Sequence, residues 1–193
     1  MRILKRLVLA SRSPRRIALL KQIGLDFTVD PTDLPEDFDS QISPSENAMT
    51  LALQKAMNIA EKFQDAIVIG ADTIVVLDNA LLGKPTDESD ALRMLRLLSG
   101  RTHTVVTGFA LVDCASRRSM TACEETRVTF RTLPDAEISE YIAGGSPMDK
   151  AGAYGIQDDY GAVFVTRIEG CFYNVVGFPL SRFYVELNRF QSQ

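Results

Sequence analysis

A chain of 193 residues with 46% hydrophobic residues, 24% charged residues and a formal net charge of −4 has the balance of a globular protein with a sizeable core. The acidic balance speaks against a protein that coats nucleic acid, and no apolar run reaches the roughly 18–20 residues that span a bilayer. Cys114, Cys123 and Cys171 are odd in number and widely spaced, which fits a reducing compartment with buried, inert thiols rather than a disulfide framework. Residues 1–9 start like a signal peptide, but the polar run from Ser11 interrupts them before an apolar region is complete, so a cytoplasmic protein is expected.

Residues 7–10 read as a buried strand. Ser11-Arg12-Ser13-Pro14-Arg15-Arg16 then turns into a helix over 14–23, with Pro14 at its first position and Gly24 as its stop. A helix N-terminus offers unpaired N–H groups and partial positive charge. With two arginines just inside it, this turn is a candidate phosphate site. A short strand at 27–29 precedes an acidic loop over 30–43. That loop is either a solvated surface segment or a carboxylate cluster able to hold a divalent cation. Ser43-Pro44-Ser45-Glu46 has the spacing of a capping box and opens a helix to about residue 63. Its apolar positions are Ala48, Leu51, Ala52, Met57 and Ala60. Periodicity alone gives Lys55 the reading of a solvated helical lysine.

Residues 66–77 are apolar on both faces, as in a central strand. Asp72 interrupts the run behind Gly70 and Ala71, and a buried carboxylate needs a cation or hydrogen-bond donors. The alternatives are a functional group or an aspartate satisfied by backbone amides at a bulge. After a turn at Asp78-Asn79 comes a return strand over 81–83, then Lys84-Pro85. A helix begins at Thr86-Asp87-Glu88 and runs through Leu98, ended by Ser99-Gly100. Strands at 101–113 and 120–132 flank a hairpin tip at 116–118. His103 is the sole histidine, which disfavours a zinc site or a Ser–His hydrolase. A helix at 136–143 leads into a stretch with Lys150, Gly152, Gly155 and Gln157, small enough for close approach to a ligand. Residues 161–168 and 173–176 read as a hairpin around Glu169-Gly170, and 179–190 as a last amphipathic helix. No P-loop signature occurs. Strands alternating with helices and then hairpins predict a mixed sheet with flanking helices in an α/β fold, with two lobes and a cleft.

Five motifs occur in order: residues 11–16, Gly70-Ala-Asp-Thr73, Gly83-Lys-Pro85, Leu98-Ser-Gly100 with Thr102-His103, and residues 148–157. Together they closely resemble the Maf family of nucleotide pyrophosphatases, over nearly the whole chain. The resemblance implies a single Maf-like domain over 1–193, elongated, with a deep cleft and a fold similar to the inosine triphosphate pyrophosphatases. It implies hydrolysis of a nucleoside triphosphate to the monophosphate and pyrophosphate with a divalent cation, Mg²⁺ or Mn²⁺. The absence of an aromatic residue between Pro14 and Arg15 resembles the dTTP/UTP branch rather than the 7-methyl-GTP branch. Carried over by motif, Asp72 is the proton acceptor. Arg15, Thr73 and Gln157 choose the substrate. Ser11, Arg16, Lys55 and Lys84 face the substrate or its phosphates, and Lys150 adds positive charge. Where many members carry an acidic pair, this chain has Pro35-Glu36. Glu36, with Asp72, is therefore the expected metal ligand, and Asp33 or Asp37 could share the role. No nucleic-acid or membrane partner is expected, and a homodimer is left open. The competing readings are a 7-methyl-GTP pyrophosphatase and a non-catalytic nucleotide-binding regulator linked to cell division.

Overall fold

The computed structural model describes residues 3, 5–157 and 159–192. Strand β1 (Leu7–Leu9) leads into helix α1 (Pro14–Gln22) and strand β2 (Thr28–Val29). Helix α2 (Pro44–Ala60) follows, then β3 (Ile67–Leu77), β4 (Ala80–Leu82), α3 (Glu88–Leu98), β5 (Thr102–Asp113) and β6 (Ser119–Phe130). Helix α4 (Asp135–Ala143), three short 3-10 turns, β7 (Val165–Glu169), α5 (Phe172–Val176) and α6 (Leu180–Gln191) complete the chain. The sheet is mixed, in the order β2-β1-β3-β5-β6-β7, with β4 paired to β3. β1 pairs parallel with both β2 and β3, and α1 and α2 supply the crossovers that parallel pairing requires.

The chain divides into two compact units. The first comprises residues 1–72, 107–124 and 177–193, and the second 73–106 and 125–176, so β3, β5 and β6 each run through both.

In the first unit, α2 lies against the sheet at unusually short range. Ala48, Ala52, Ala56 and Ala60 recur every four residues and are fully buried, forming one smooth helix face. They meet glycines on the strands. A Cβ at Gly70 would stand 2.1 Å from the Ala52 carbonyl oxygen, and one at Gly108 would stand 2.4 Å from that of Ala48. Both contacts are backbone against side chain, and neither partner can swing aside. The capping box is present: Ser43 Oγ accepts from the Glu46 amide at 3.2 Å, and the Ser43 amide donates to Glu46 Oε2 at 2.9 Å. Phe109, Phe178 and Phe183 form a second centre of packing, with ring centroids 4.8–6.0 Å apart.

In the second unit the core is aromatic. Phe130 packs edge-on against His103, Tyr154 and Phe164, and Tyr141 packs on Phe164. His103 is 2% exposed, and burial pulls its pKa down to about 3. It is therefore neutral near pH 7.

Several expectations change. Residues 173–176 form α5, not a strand, and β7 pairs antiparallel with β6 instead. The Val-Val pair looks β-like, but Asn174 Nδ2 donates to the Val105 carbonyl and to Thr126 Oγ1, fixing a helical turn. Residues 159–164 are a 3-10 turn rather than the start of that strand. Met57, placed on the apolar stripe of α2, is exposed. Of the thiols, Cys114 is buried, whereas Cys123 and Cys171 are half-buried. In β5 every residue from Val105 to Asp113 is buried, so both faces of that stretch are covered.

Gly70→Ala is expected to cost at least about 2 kcal/mol in urea unfolding, because the added methyl meets backbone atoms of α2. Acidification gives a second expectation. His103 binds its proton near pH 6.5 when unfolded but only near 3 when folded, so stability falls as pH drops below about 6.5. The loss reaches about 2 kcal/mol by pH 5 at one proton, or about 1.4 kcal/mol, per pH unit. Urea midpoints of the parent and of His103→Gln at pH 7 and pH 5 should differ by that amount in their pH response.

Candidate active site

The site starts where β1 stops. The Ala10 amide donates to the Ile69 carbonyl at 2.8 Å, so β1 and β3 stay paired up to the turn. Ser13 caps α1, its hydroxyl accepting from the Arg16 amide at 3.4 Å, and Pro14 takes the first helical position as expected. The first turn of α1 carries no acidic side chain, so nothing on the helix itself offsets its positive end. Ser11 Oγ accepts from the Ser13 amide at 3.3 Å and from Arg16 Nη1 at 3.2 Å.

Arg16 braces the turn. Its Nη1 also donates to the Ala71 carbonyl at 2.9 Å and its Nε to the Gly177 carbonyl at 3.1 Å. Burial lowers its pKa, while Asp72 and Glu36 favour its charge. The two carbonyl acceptors were invisible to sequence reasoning, since any residue supplies a carbonyl. The positive φ of 125° at Gly177 is the one local sign that the chain bends there.

Asp72 is 4% exposed and lies on the same face of β3 as Gly70, two residues on. That face meets α2, and the close approach allowed by Gly70 brings Lys55 within reach. Lys55 Nζ donates to Asp72 Oδ1 at 2.6 Å and to Glu36 Oε1 at 2.7 Å. Lys55 is 7% exposed, so the expectation of a solvated lysine fails. Periodicity missed it because the helix buries a charged face as well as an apolar one. Burial raises the pKa of Asp72 despite the opposing pull of Lys55 and Arg16, and Glu36 raises it further. The carboxyl is thus held with more affinity for a proton than an ordinary surface aspartate has.

Of the three acidic loop residues considered, Glu36 is the one joined to Asp72 through Lys55. Asp33 pairs with Arg12 at 2.5 Å, and Asp37 is exposed. Among the described residues no three histidine, cysteine, aspartate or glutamate side chains cluster as a metal cage. Two carboxylates sharing one ammonium still fit a hard divalent cation, because Mg²⁺ commonly takes one or two carboxylates and completes its shell with water and phosphate oxygens.

In the second unit, Thr73 follows Asp72 along β3 and is half-buried. Lys84 is exposed just after β4, between Gly83 and the buried Pro85. Lys150 is 7% exposed and its Nζ meets Asp149 Oδ1 at 2.9 Å. Gln157 is exposed at the end of the glycine-containing segment. Arg15, in the first unit, is half-buried in the first turn of α1. The structure therefore brings Ser11, Arg16, Glu36, Lys55 and Asp72 together in the first unit.

Fold and site together describe an α/β protein equipped to handle phosphate groups. The chain belongs to the Maf family: the family model described as Maf-like protein matches residues 6–190. A dTTP/UTP pyrophosphatase of Dictyoglomus turgidum is 48% identical over 187 residues, 96% of either chain. Proteins of the same name from Carboxydothermus hydrogenoformans and a Bacillus cereus strain are also 48% identical, over 94% and 97% of this chain and 97% and 91% of theirs. Among solved structures, the Staphylococcus aureus Ham1 protein superposes with a TM-score of 0.46 at 19% identity, covering 65% of this chain and 72% of that one.

Lys55→Met leaves Asp72 buried beside no ammonium, and is expected to destabilise the fold by about 3 kcal/mol. Adding Asp72→Asn should return part of that loss, because the stranded charge is removed. Urea unfolding of the two variants and the parent reads the difference directly.

Proposed function

We propose that this chain hydrolyses dTTP and UTP, and related modified pyrimidine nucleotides, to the nucleoside monophosphate and pyrophosphate, with residues 1–193 acting as one cytoplasmic Maf-type pyrophosphatase. The observation that carries the reading is the buried Asp72, held by Lys55 and next to Ala71, whose carbonyl accepts from Arg16 in the first turn of α1. The names of relatives at 48% identity supply the substrate class.

The triphosphate is drawn by the positive end of α1 and by Arg15, Lys84 and Lys150. Arg16 has a different task from the others. Its Nε and Nη1 are engaged with the protein's own oxygens, so it holds the shape of the turn and contributes its charge through space. Ser11 keeps the turn closed and presents its hydroxyl there. Asp72 accepts the proton of the attacking water. The new bond forms between that water oxygen and the α-phosphorus. The bond from the α-phosphorus to the bridging oxygen breaks, and pyrophosphate leaves with the electron pair. A base whose pKa is raised towards neutrality takes that proton more readily than a surface carboxylate. Lys55 holds the Asp72 carboxylate in one orientation and offsets its charge between turnovers.

Glu36 and Asp72 would hold a divalent cation, which would supply charge stabilisation to the phosphate oxygens. Thr73 and Gln157 read the base edge. An amide suits uracil and thymine because these present both an N–H and carbonyl groups.

The decisive experiment is a panel of dTTP, UTP and 7-methyl-GTP with Mg²⁺ or Mn²⁺, following pyrophosphate and monophosphate. Turnover of dTTP and UTP is expected, and hydrolysis of 7-methyl-GTP alone would overturn the substrate assignment. Binding without turnover would indicate a regulator instead. Asp72→Asn should lower kcat by about 10²–10⁴-fold, the usual contribution of a general base. A purified Asp72→Asn chain that matches the parent rate excludes Asp72 as the proton acceptor.

A further inference from the structure

The motif that ends in His103 has no part in the chemistry above, yet His103 is one of the most deeply buried polar groups in the chain. Its Nε2 lies 2.8 Å from the Tyr154 hydroxyl, and its Nδ1 has no hydrogen-bond partner among the described residues. Its ring stands edge-on to Phe130 and Tyr154, with centroids at 4.9 and 5.4 Å. A neutral imidazole and a phenol buried together, joined by one hydrogen bond, are costly to retain as core filler, since a leucine would pack there without a stranded polar atom.

Tyr154 sits in the segment that ends at Gln157, and that segment is pinned throughout. The Gly152 amide donates to the Gly83 carbonyl at 2.9 Å, tying it to the residue before Lys84. Gly152 has a φ of +68°, and a Cβ there would stand 2.9 Å from a Val75 methyl. Ala153 adopts a left-handed φ of 62° although it is not glycine. The Gly155 amide donates to the Tyr141 hydroxyl at 3.3 Å, and a Cβ at Gly161 would stand 2.2 Å from the Gly155 carbonyl oxygen. A left-handed alanine persists only where its surroundings over-determine the backbone. The residue next to it, Tyr154, is held by its hydrogen bond with His103 and by the Phe130 ring at 4.7 Å.

We infer that His103 and Tyr154 form a positioning pair that sets the backbone of residues 152–155 and so aims Gln157 at the pyrimidine base. The inference rests on the base-reading role proposed above for Gln157. His103 is neutral near pH 7, so its Nε2 pairs with the Tyr154 hydroxyl without a charge to bury.

Tyr154→Phe deletes one hydroxyl and keeps the ring. It should raise KM for UTP and dTTP about tenfold, the weight of one hydrogen bond on an equilibrium, with kcat changed less than about twofold. His103→Leu should do the same, while His103→Gln, whose amide nitrogen reaches the position of Nε2, should restore the parent KM. In a Gln157→Ala background, Tyr154→Phe should raise KM no further, because the residue being aimed is gone. Thermal melts of every variant control for global unfolding, and amide exchange at Gly155 should accelerate in Tyr154→Phe. An active parent whose Tyr154→Phe and His103→Leu variants lose melting temperature but keep KM overturns the positioning role and leaves the pyrophosphatase reading intact. A parent that binds UTP without cleaving it overturns only the pyrophosphatase reading, and the same comparison is then made in Kd. A parent that neither binds nor cleaves the nucleotides overturns both.

Discussion

The architecture of the first unit depends on how closely α2 can approach β3. Helices packed through large side chains keep their axes well clear of a sheet. Here alanines at every fourth position face glycines, and the gap shrinks until a single methyl at Gly70 would collide with a helix carbonyl. That distance decides the chemistry. Asp72 lies two residues beyond Gly70 on the same strand face, and Lys55 lies one residue before Ala56 on the helix. Were the helix a side chain's thickness further out, the lysine would not reach and the buried carboxylate would lose its hydrogen-bonded cation.

The resulting cluster is a set of charges that hold one another. Lys55 links Asp72 to Glu36, and Arg16 adds positive charge beside them while its own donors hold the turn. Burial and the neighbouring cations pull the Asp72 pKa in opposite directions, and burial dominates. The balance leaves the carboxylate ion-paired within the fold and yet with more affinity for a proton than a surface aspartate has.

The sequence made some of this legible and hid the rest for physical reasons. Capping chemistry is local, so the starts of α1 and α2 could be placed from Ser13-Pro14 and from Ser43 with Glu46. The central strand announced itself through its apolar run, and Asp72 stood out because a charge there is expensive. Lys55 could not be found by periodicity, since its burial depends on glycines and an aspartate on another element. Residues 173–176 misled because β-branched side chains favour strands on average, whereas Asn174 binds partners 69 and 48 residues away. Arg16 is expected from its motif to face phosphate, but its bracing contacts in the structure run to carbonyls, which carry no sequence signature.

The threading of β3, β5 and β6 through both units bears on how the chain is made. The aromatic centre of the first unit joins Phe109 to Phe178 and Phe183, and that unit reclaims the chain only from residue 177 onward. Neither unit is a continuous stretch of chain. The N-terminal turn and its helix therefore emerge long before the residues that complete their core. Contacts so distant in sequence close slowly, and until they do Phe109 lacks its partners Phe178 and Phe183. The side of the first unit built on Phe109 is therefore the part that waits longest for its partners.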